Sequence, residues 1–207
     1  VAATAITASA VLSRYCFAGQ PFTSDEMAQQ WQARMLLDCH FAIAAEPFRE
    51  FFNTAPVYDV GRWFSQYPIG GPALIALGLA AGAAWLVTPL LLGVAVWGFY
   101  RFIRRAYDDA TARMAALLLV LSPMVLIMSA SQMSHVPALA AAMIALAALA
   151  AWDAEPRPRV AARYAAVVGG AVGALAAVRP YDAVLVAVVI GGFQLVTVAR
   201  RRELIGT

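Results

Sequence analysis

Lysine is absent from this 207-residue chain, and its fifteen basic residues are all arginine. Charge of either sign is scarce, with 13% charged residues against 62% hydrophobic ones. Length alone reads as about one domain, but a soluble domain carries roughly twice this share of charge to build its surface. The deficit excludes an ordinary soluble fold. Cysteine is nearly missing too: Cys16 and Cys39 show neither Cys-x-x-Cys nor Cys/His ligand spacing. A disulfide between them is allowed outside the cytoplasm, yet nothing in the sequence asks for one. The net charge of +3 does not signal nucleic acid. The arginines stand in short clusters beside apolar runs, which is how membrane-flanking charge is arranged, not a phosphate-tracking groove. All-arginine usage alongside abundant alanine reads as GC-rich coding.

What the sequence has instead is long runs free of charge. Trp63 to Tyr100 holds no ionisable side chain except tyrosine, and Met114 to Trp152 holds only His135. About 20 apolar residues cross the hydrocarbon of a bilayer, so each run exceeds one crossing. The chain reads as an all-α, multi-pass membrane protein. Its apolar start and its stop just after an arginine cluster read as a piece of a longer protein, not as a signal peptide with a mature chain.

Residues 1–17 read as a first span, shortened at its start. Residues 18–84 form a loop with juxtamembrane helices, polar to residue 68 and holding six of the twelve acidic residues up to there. Within it Thr23-Ser-Asp-Glu26 fits a capping box, with Thr23 as N-cap and Glu26 reaching back to its amide. A helix is predicted to run from there to about Cys39. Met27, Trp31 and Met35 recur every four residues on one face, suiting a helix that lies along the membrane interface. Phe51 to Gln66 reads as extended, turning at Asp59-Val-Gly61. After Tyr67-Pro-Ile-Gly-Gly-Pro72, a helix from 72 to 82 would rise only about 16 Å, too short to cross. Five spans follow within 85–199, at roughly 85–102, 114–130, 136–152, 164–178 and 183–199. Their alanine and glycine suit close packing in a membrane bundle. Residues 200–207 form the cytoplasmic end.

Arginine placement sets the topology. Arg101/Arg104/Arg105/Arg113, Arg157/Arg159/Arg163 and Arg200/Arg201/Arg202 hold ten of the fifteen arginines. The positive-inside rule puts all three clusters in the cytoplasm, which five spans after the long loop permit. The long loop then lies outside, provided the 72–82 helix stays shallow or re-entrant. Three polar groups gather on that outer face: Asp25/Glu26, Ser131-Gln-Met-Ser-His135 and Arg179-Pro-Tyr-Asp182. Ionisable groups close to a bilayer core are costly, so their presence points to a site. Each also has a plainer reading. Glu26 serves as a cap and Asp25 as an acid favoured by the helix dipole. His135 is then an interfacial loop residue, and Arg179 pairs with Asp182 three residues on.

From Ser24-Asp25-Glu26-Met27 to Gln32-Ala-Arg34-Met-Leu36, the chain resembles membrane glycosyltransferases of the GT-C fold. It is most similar to the bacterial family 39 enzymes: aminoarabinose transferases of lipid A, protein O-mannosyltransferases and galacturonosyltransferases of lipopolysaccharide core. The resemblance continues through Tyr67-Pro-Ile-Gly-Gly-Pro-Ala-Leu-Ile-Ala-Leu-Gly78, a counterpart of the family's Tyr-Pro-Pro-Gly-like element, and through Tyr100-Arg-Phe-Ile-Arg-Arg105. It covers most of the chain, which would be the N-terminal half or less of such an enzyme. Gln66-Tyr67 departs from an acidic-basic pair of some relatives, and His135 falls at an outer loop where relatives can carry aspartate.

The resemblance implies a GT-C-type helix bundle in a bacterial inner membrane, with its active site facing the periplasm. It implies transfer of a sugar from a polyprenyl-phosphate carrier to a lipid, glycan or protein acceptor. Asp25 matches the family's catalytic carboxylate, with Glu26 beside it. One base suffices, because the acceptor hydroxyl must lose a proton while the phosphate leaves as a stable anion. Positive charge near that anion comes from arginine or from a divalent metal; no other cofactor is implied. Arg34 and Tyr67 lie within the matching motifs. They join His135 and Arg179, which topology alone brings to the outer face, as candidate substrate-binding residues. A transporter or permease, a structural envelope subunit and an inactive relative are the competing readings.

Overall fold

A computed structural model of the chain describes residues 1–45 and 55–206, and side chains as far as residue 199. Helix α1 (Ala2–Val11) continues into a π-helical turn, Leu12–Cys16. The loop region then folds as α2 (Ser24–Leu37), short strands β1 (Ile43–Ala44), β2 (Val57–Asp59) and β3 (Arg62–Ser65), and α3 (Gly70–Ala80). The bundle continues with α4 (Val87–Ala106), α5 (Asp109–Leu121), α6 (Pro123–Ala130), α7 (His135–Asp153), α8 (Pro158–Val178) and α9 (Pro180–Gly206). Four helical segments, beginning at Ala84, His135, Pro158 and Pro180, are long and apolar enough to cross a membrane. A fifth crossing is made if the bent pair α5 and α6 counts as one. The segment through Cys16, expected as a shortened first span, lies along α4 and does not reach that length.

The segment read as one span at 114–130 is bent by 62° between α5 and α6. Pro123 explains the break. It lacks an N–H, and its ring drives Ser122 out of the helical region to φ −66°, ψ 117°. Elsewhere the bundle closes through small residues. α7 buries Ala138, Ala140, Ala145, Ala147, Ala148 and Ala151, which lets its neighbours approach closely. At the α4–α7 crossing, a Cβ on Gly98 would lie 3.0 Å from the Met143 backbone. One apolar cluster joins Ala5, Leu92, Val96, Ala116, Val120 and Val136, and another joins Ala145, Ala148, Leu149, Val168, Ala171 and Ile190.

Contacts fix the helix directions. Ile6 packs on Gly93 and the Ser13 hydroxyl donates to the Trp85 carbonyl at 3.2 Å, so α1 runs against α4. The Thr88 hydroxyl donates to the Ser131 carbonyl at 2.7 Å while Gly98 faces Met143, so α4 and α7 run together. The chain therefore places the arginine clusters of 101–113 and 157–163 at one end of the bundle. The long loop, residues 131–135 and residues 179–182 lie at the other. Helix α3 does not traverse the bundle: Gly70 abuts Ala177 of α8 and Gly78 abuts Ala84, both at the loop end. It begins two residues earlier than the sequence suggested.

The loop is not purely helical. β1, β3 and β2 form a small antiparallel sheet in that order, with Ile43 opposite Trp63 and Tyr58 opposite Phe64. The turn expected at Asp59-Val-Gly61 is present. Gly61 sits at φ +80°, which glycine adopts without strain, and its N–H donates to Asp59 Oδ1 at 3.2 Å. The early part of the expected extended stretch, residues 51–54, lies outside the described residues.

Candidate functional site

Helix α2 starts as its capping residues dictate. Thr23 Oγ1 accepts the Glu26 amide at 3.3 Å. The return bond differs from a standard capping box: Glu26 Oε2 accepts the N–H of Phe22, at 2.9 Å, and not that of Thr23. Glu26 is 2% exposed and so spends its carboxylate on pinning the helix start. Asp25, one position earlier and half-buried, faces a different direction.

The inner face of α2 is polar. Gln29, Gln30 and Gln32 are buried together with Ala28, Ala33 and Met35, whereas Met27 is 54% exposed. The Met27/Trp31/Met35 stripe is thus split, with Met35 buried, Trp31 half-buried and Met27 exposed. Burial of amides is tolerable only where they find partners. Gln32 does so twice, accepting the Ser65 N–H at 2.8 Å and donating to the Phe41 carbonyl at 3.0 Å. Gln30 donates to Gln132 Oε1 at 3.2 Å, tying α2 to the loop before α7. Gln29 is the exception. It is 1% exposed, and neither carboxamide atom meets a hydrogen-bond partner among the described residues. Its oxygen lies against Gly71, where a Cβ would approach it to 2.7 Å, and beside Ser134.

The N-terminal ends of α2, α3, α7 and α9 converge at the loop end and enclose a cleft of about 460 Å³. Asp25 comes from the first turn of α2, Gln66, Tyr67 and Pro68 from the approach to α3, and Ser134 and His135 from the start of α7. Arg179, Tyr181 and Asp182 come from the start of α9, and Tyr58 reaches in from β2. Helix N-termini carry partial positive charge, so an anion is favoured at their meeting point and the two aspartates are stabilised there. Arg179 Nε lies 2.9 Å from Asp182 Oδ2, the plain i,i+3 pair allowed by the sequence. His135 lies within electrostatic reach of Arg179, Asp182 and Asp25.

Tyr67 lies beside Asp25 on the cleft wall. Its phenol is held above the usual tyrosine range by burial first, then by its hydrogen bond to the Asp25 carboxylate, which favours the neutral donor. Gln66 Nε2 donates in turn to the Tyr67 oxygen at 3.2 Å. The phenol thus stands between the Gln66 amide and the Asp25 carboxylate. A second, apolar groove of about 280 Å³ continues from the cleft between α7, α8 and α9. It shares His135, Arg179 and Asp182 with the cleft and is otherwise lined by Ala138, Leu139, Ala142, Leu175 and Val186.

Of the residues singled out in the sequence, Asp25, Tyr67, His135 and Arg179 come together. Glu26 and Arg34 do not line the cleft. Arg34 is exposed on α2 and, among the described residues, donates to Gln30 Oε1 at 3.4 Å. Tyr58, Gln66 and Gln29 were missed. The signal for Gln29 was present, since it follows Asp25 by four residues on the same helix face, but the Met/Trp stripe outweighed it. Among the described residues, no three His, Cys, Asp or Glu side chains gather closely enough to hold a metal ion. The two cysteines are free and exposed. No protein-family model, curated protein or solved structure matches this chain.

Proposed function

We propose that the chain is part of an inverting membrane glycosyltransferase of the GT-C kind that uses a polyprenyl-phosphate sugar as donor. One observation carries the reading: the polar cleft ringed by helix N-termini runs directly into an apolar groove, and the two share His135 and Arg179. An amphiphile with an anionic head and a long hydrocarbon tail matches both parts at once. Asp25 takes the proton of an acceptor hydroxyl as that oxygen attacks the anomeric carbon from the face opposite the phosphate. The bond from the anomeric carbon to the phosphate oxygen breaks, and its electron pair leaves with the carrier phosphate. Arg179, His135 and the helix N-termini stabilise that charge where it develops. Tyr67 keeps Asp25 aligned. Glu26 anchors α2, and Arg34 has no part in the reaction.

The test is transfer from radiolabelled polyprenyl-phosphate sugars by the intact protein in membranes. Loss of a general base costs about 10²–10⁴ in rate, so Asp25→Asn should nearly abolish transfer. Asparagine keeps the residue's size and is accepted at helix starts, so folding should fall by about 1 kcal/mol or less. Glu26→Gln retains an acceptor for the Phe22 amide and should transfer at a near-normal rate. A folded Asp25→Asn protein with full activity would overturn the mechanism.

A further inference from the structure

The opposite end of the bundle holds a second cavity, of about 440 Å³, that the transfer reaction does not use. It is a groove whose floor is α7 and whose walls are α4 and α9. Phe102, Leu146, Leu149, Val189 and Phe193 give it an apolar lining, and Arg105 stands at its mouth. From Leu146 to Asp153 the floor runs about 10 Å along the helix axis. Its α9 wall is open: Val189 is 68% and Phe193 45% exposed. That much apolar surface on a helix long enough to cross a membrane suits contact with hydrocarbon.

Charge decides the occupant. The other arginines of the α4–α5 corner are engaged: Arg113 and Arg104 approach Asp109 at 2.7 and 3.7 Å, and Arg101 lies 5.8 Å above the Trp97 ring. Arg105 has no counter-ion among the described residues. The one carboxylate on the groove, Asp153, has an interaction of its own. Among the described residues the mouth therefore presents a guanidinium without a counter-ion, at the depth where the apolar part of α4 ends. We infer that this groove binds an anionic phospholipid, with one acyl chain between α4 and α9 and the head-group phosphate on Arg105. Basic pockets between membrane helices are suited to such head groups, and guanidinium is suited to phosphate.

The inference is tested on the purified full chain by native mass spectrometry. Phosphatidylglycerol and phosphatidylcholine of identical acyl chains are added at equal concentration. Retained phosphatidylglycerol should exceed phosphatidylcholine by about fivefold, the share one arginine supplies near a membrane surface. Arg105→Gln should bring the two lipids to parity, while Arg101→Gln, outside the groove, should leave the preference intact. Ala150→Trp fills the groove without touching charge and should reduce retention of both lipids, with elution volume reporting that the protein is folded. Equal retention by the unmodified protein would overturn the inference. So would a preference that survives Arg105→Gln, one lost equally in Arg101→Gln, or undiminished retention in folded Ala150→Trp.

Discussion

The two ends of the bundle handle polarity in opposite ways. At the arginine end, charges are met at the surface: Arg157 Nε lies 2.7 Å from Glu155 Oε1, and Arg113 Nη2 lies 2.7 Å from Asp109 Oδ2, with the arginines largely exposed. At the cleft end, polar groups are carried inside. Glu26, Gln29, Gln30, Gln32, Ser131 and Gln132 are all buried, and most bind backbone or one another. Solvent screens the first kind of pair, so it contributes little. Burial makes the second kind sensitive to every missing partner. The end that invests in buried hydrogen bonds is the end that can hold a carboxylate, a phenol and a guanidinium in fixed relation.

The largest difference between the ends should come from backbone contact. A Cβ on Gly70 would sit 2.6 Å from the Ala177 carbonyl oxygen, so Gly70→Ala must push α3 off α8. Overpacking of this kind costs about 1–3 kcal/mol and should also slow transfer, since α3 carries Tyr67 into the cleft. Gly169→Ala, on α8 itself, meets nothing within 4 Å and should leave the thermal midpoint unchanged or higher. Equal losses in the two variants would erase the distinction.

Gln29 sharpens it next. Its carboxamide is buried without a partner among the described residues, so Gln29→Leu, similar in size, should raise stability by about 1–2 kcal/mol, read from the denaturation midpoint. A fall in stability would show that the amide is satisfied in the folded protein.

Tyr67 supplies a pH signature. Its folded-state pKa lies above the usual tyrosine value of about 10, so the stability it contributes is complete below that pH and is lost as pH rises through the higher folded value. Difference absorbance between the protein and Tyr67→Phe should therefore show phenolate only above about pH 10. Ionisation at or below the ordinary value would mean that Tyr67 and Asp25 do not share a hydrogen bond.

The smallest effect belongs to the arginine end. Glu155 is held below the usual glutamate range by its hydrogen bonds from Arg157, first of the side chain and then of the backbone, and the Arg157 guanidinium stays largely in solvent. Arg157→Gln should leave the midpoint unchanged within error in moderate salt. A clear drop would show that surface pairs contribute at this end as well.

The sequence by itself determined the parts of this protein that depend on near neighbours. Charge-free runs specify helices that water cannot solvate, and arginine clusters mark their ends. Thr23 caps α2, Asp59 and Gly61 turn the hairpin, and the short run after Pro72 is too brief to cross. Reading 114–130 as one span overlooks the bend at Pro123, although proline acts only on the residues beside it. Tertiary structure alone decided which face of α2 is buried. The stripe of Met27, Trp31 and Met35 suits a helix along the membrane interface and does not name the inner face; Gln30 and Gln32 are stable inside only because Gln132, Ser65 and Phe41 arrive from elsewhere in the chain to receive them. The same holds for the cleft. Neighbouring residues Asp25 and Glu26 look alike in sequence, yet one turns to Tyr67 and the other to the Phe22 amide. Which carboxylate is free for chemistry depends on where α3, α7 and α9 begin in space, and no local pattern records how distant helices meet.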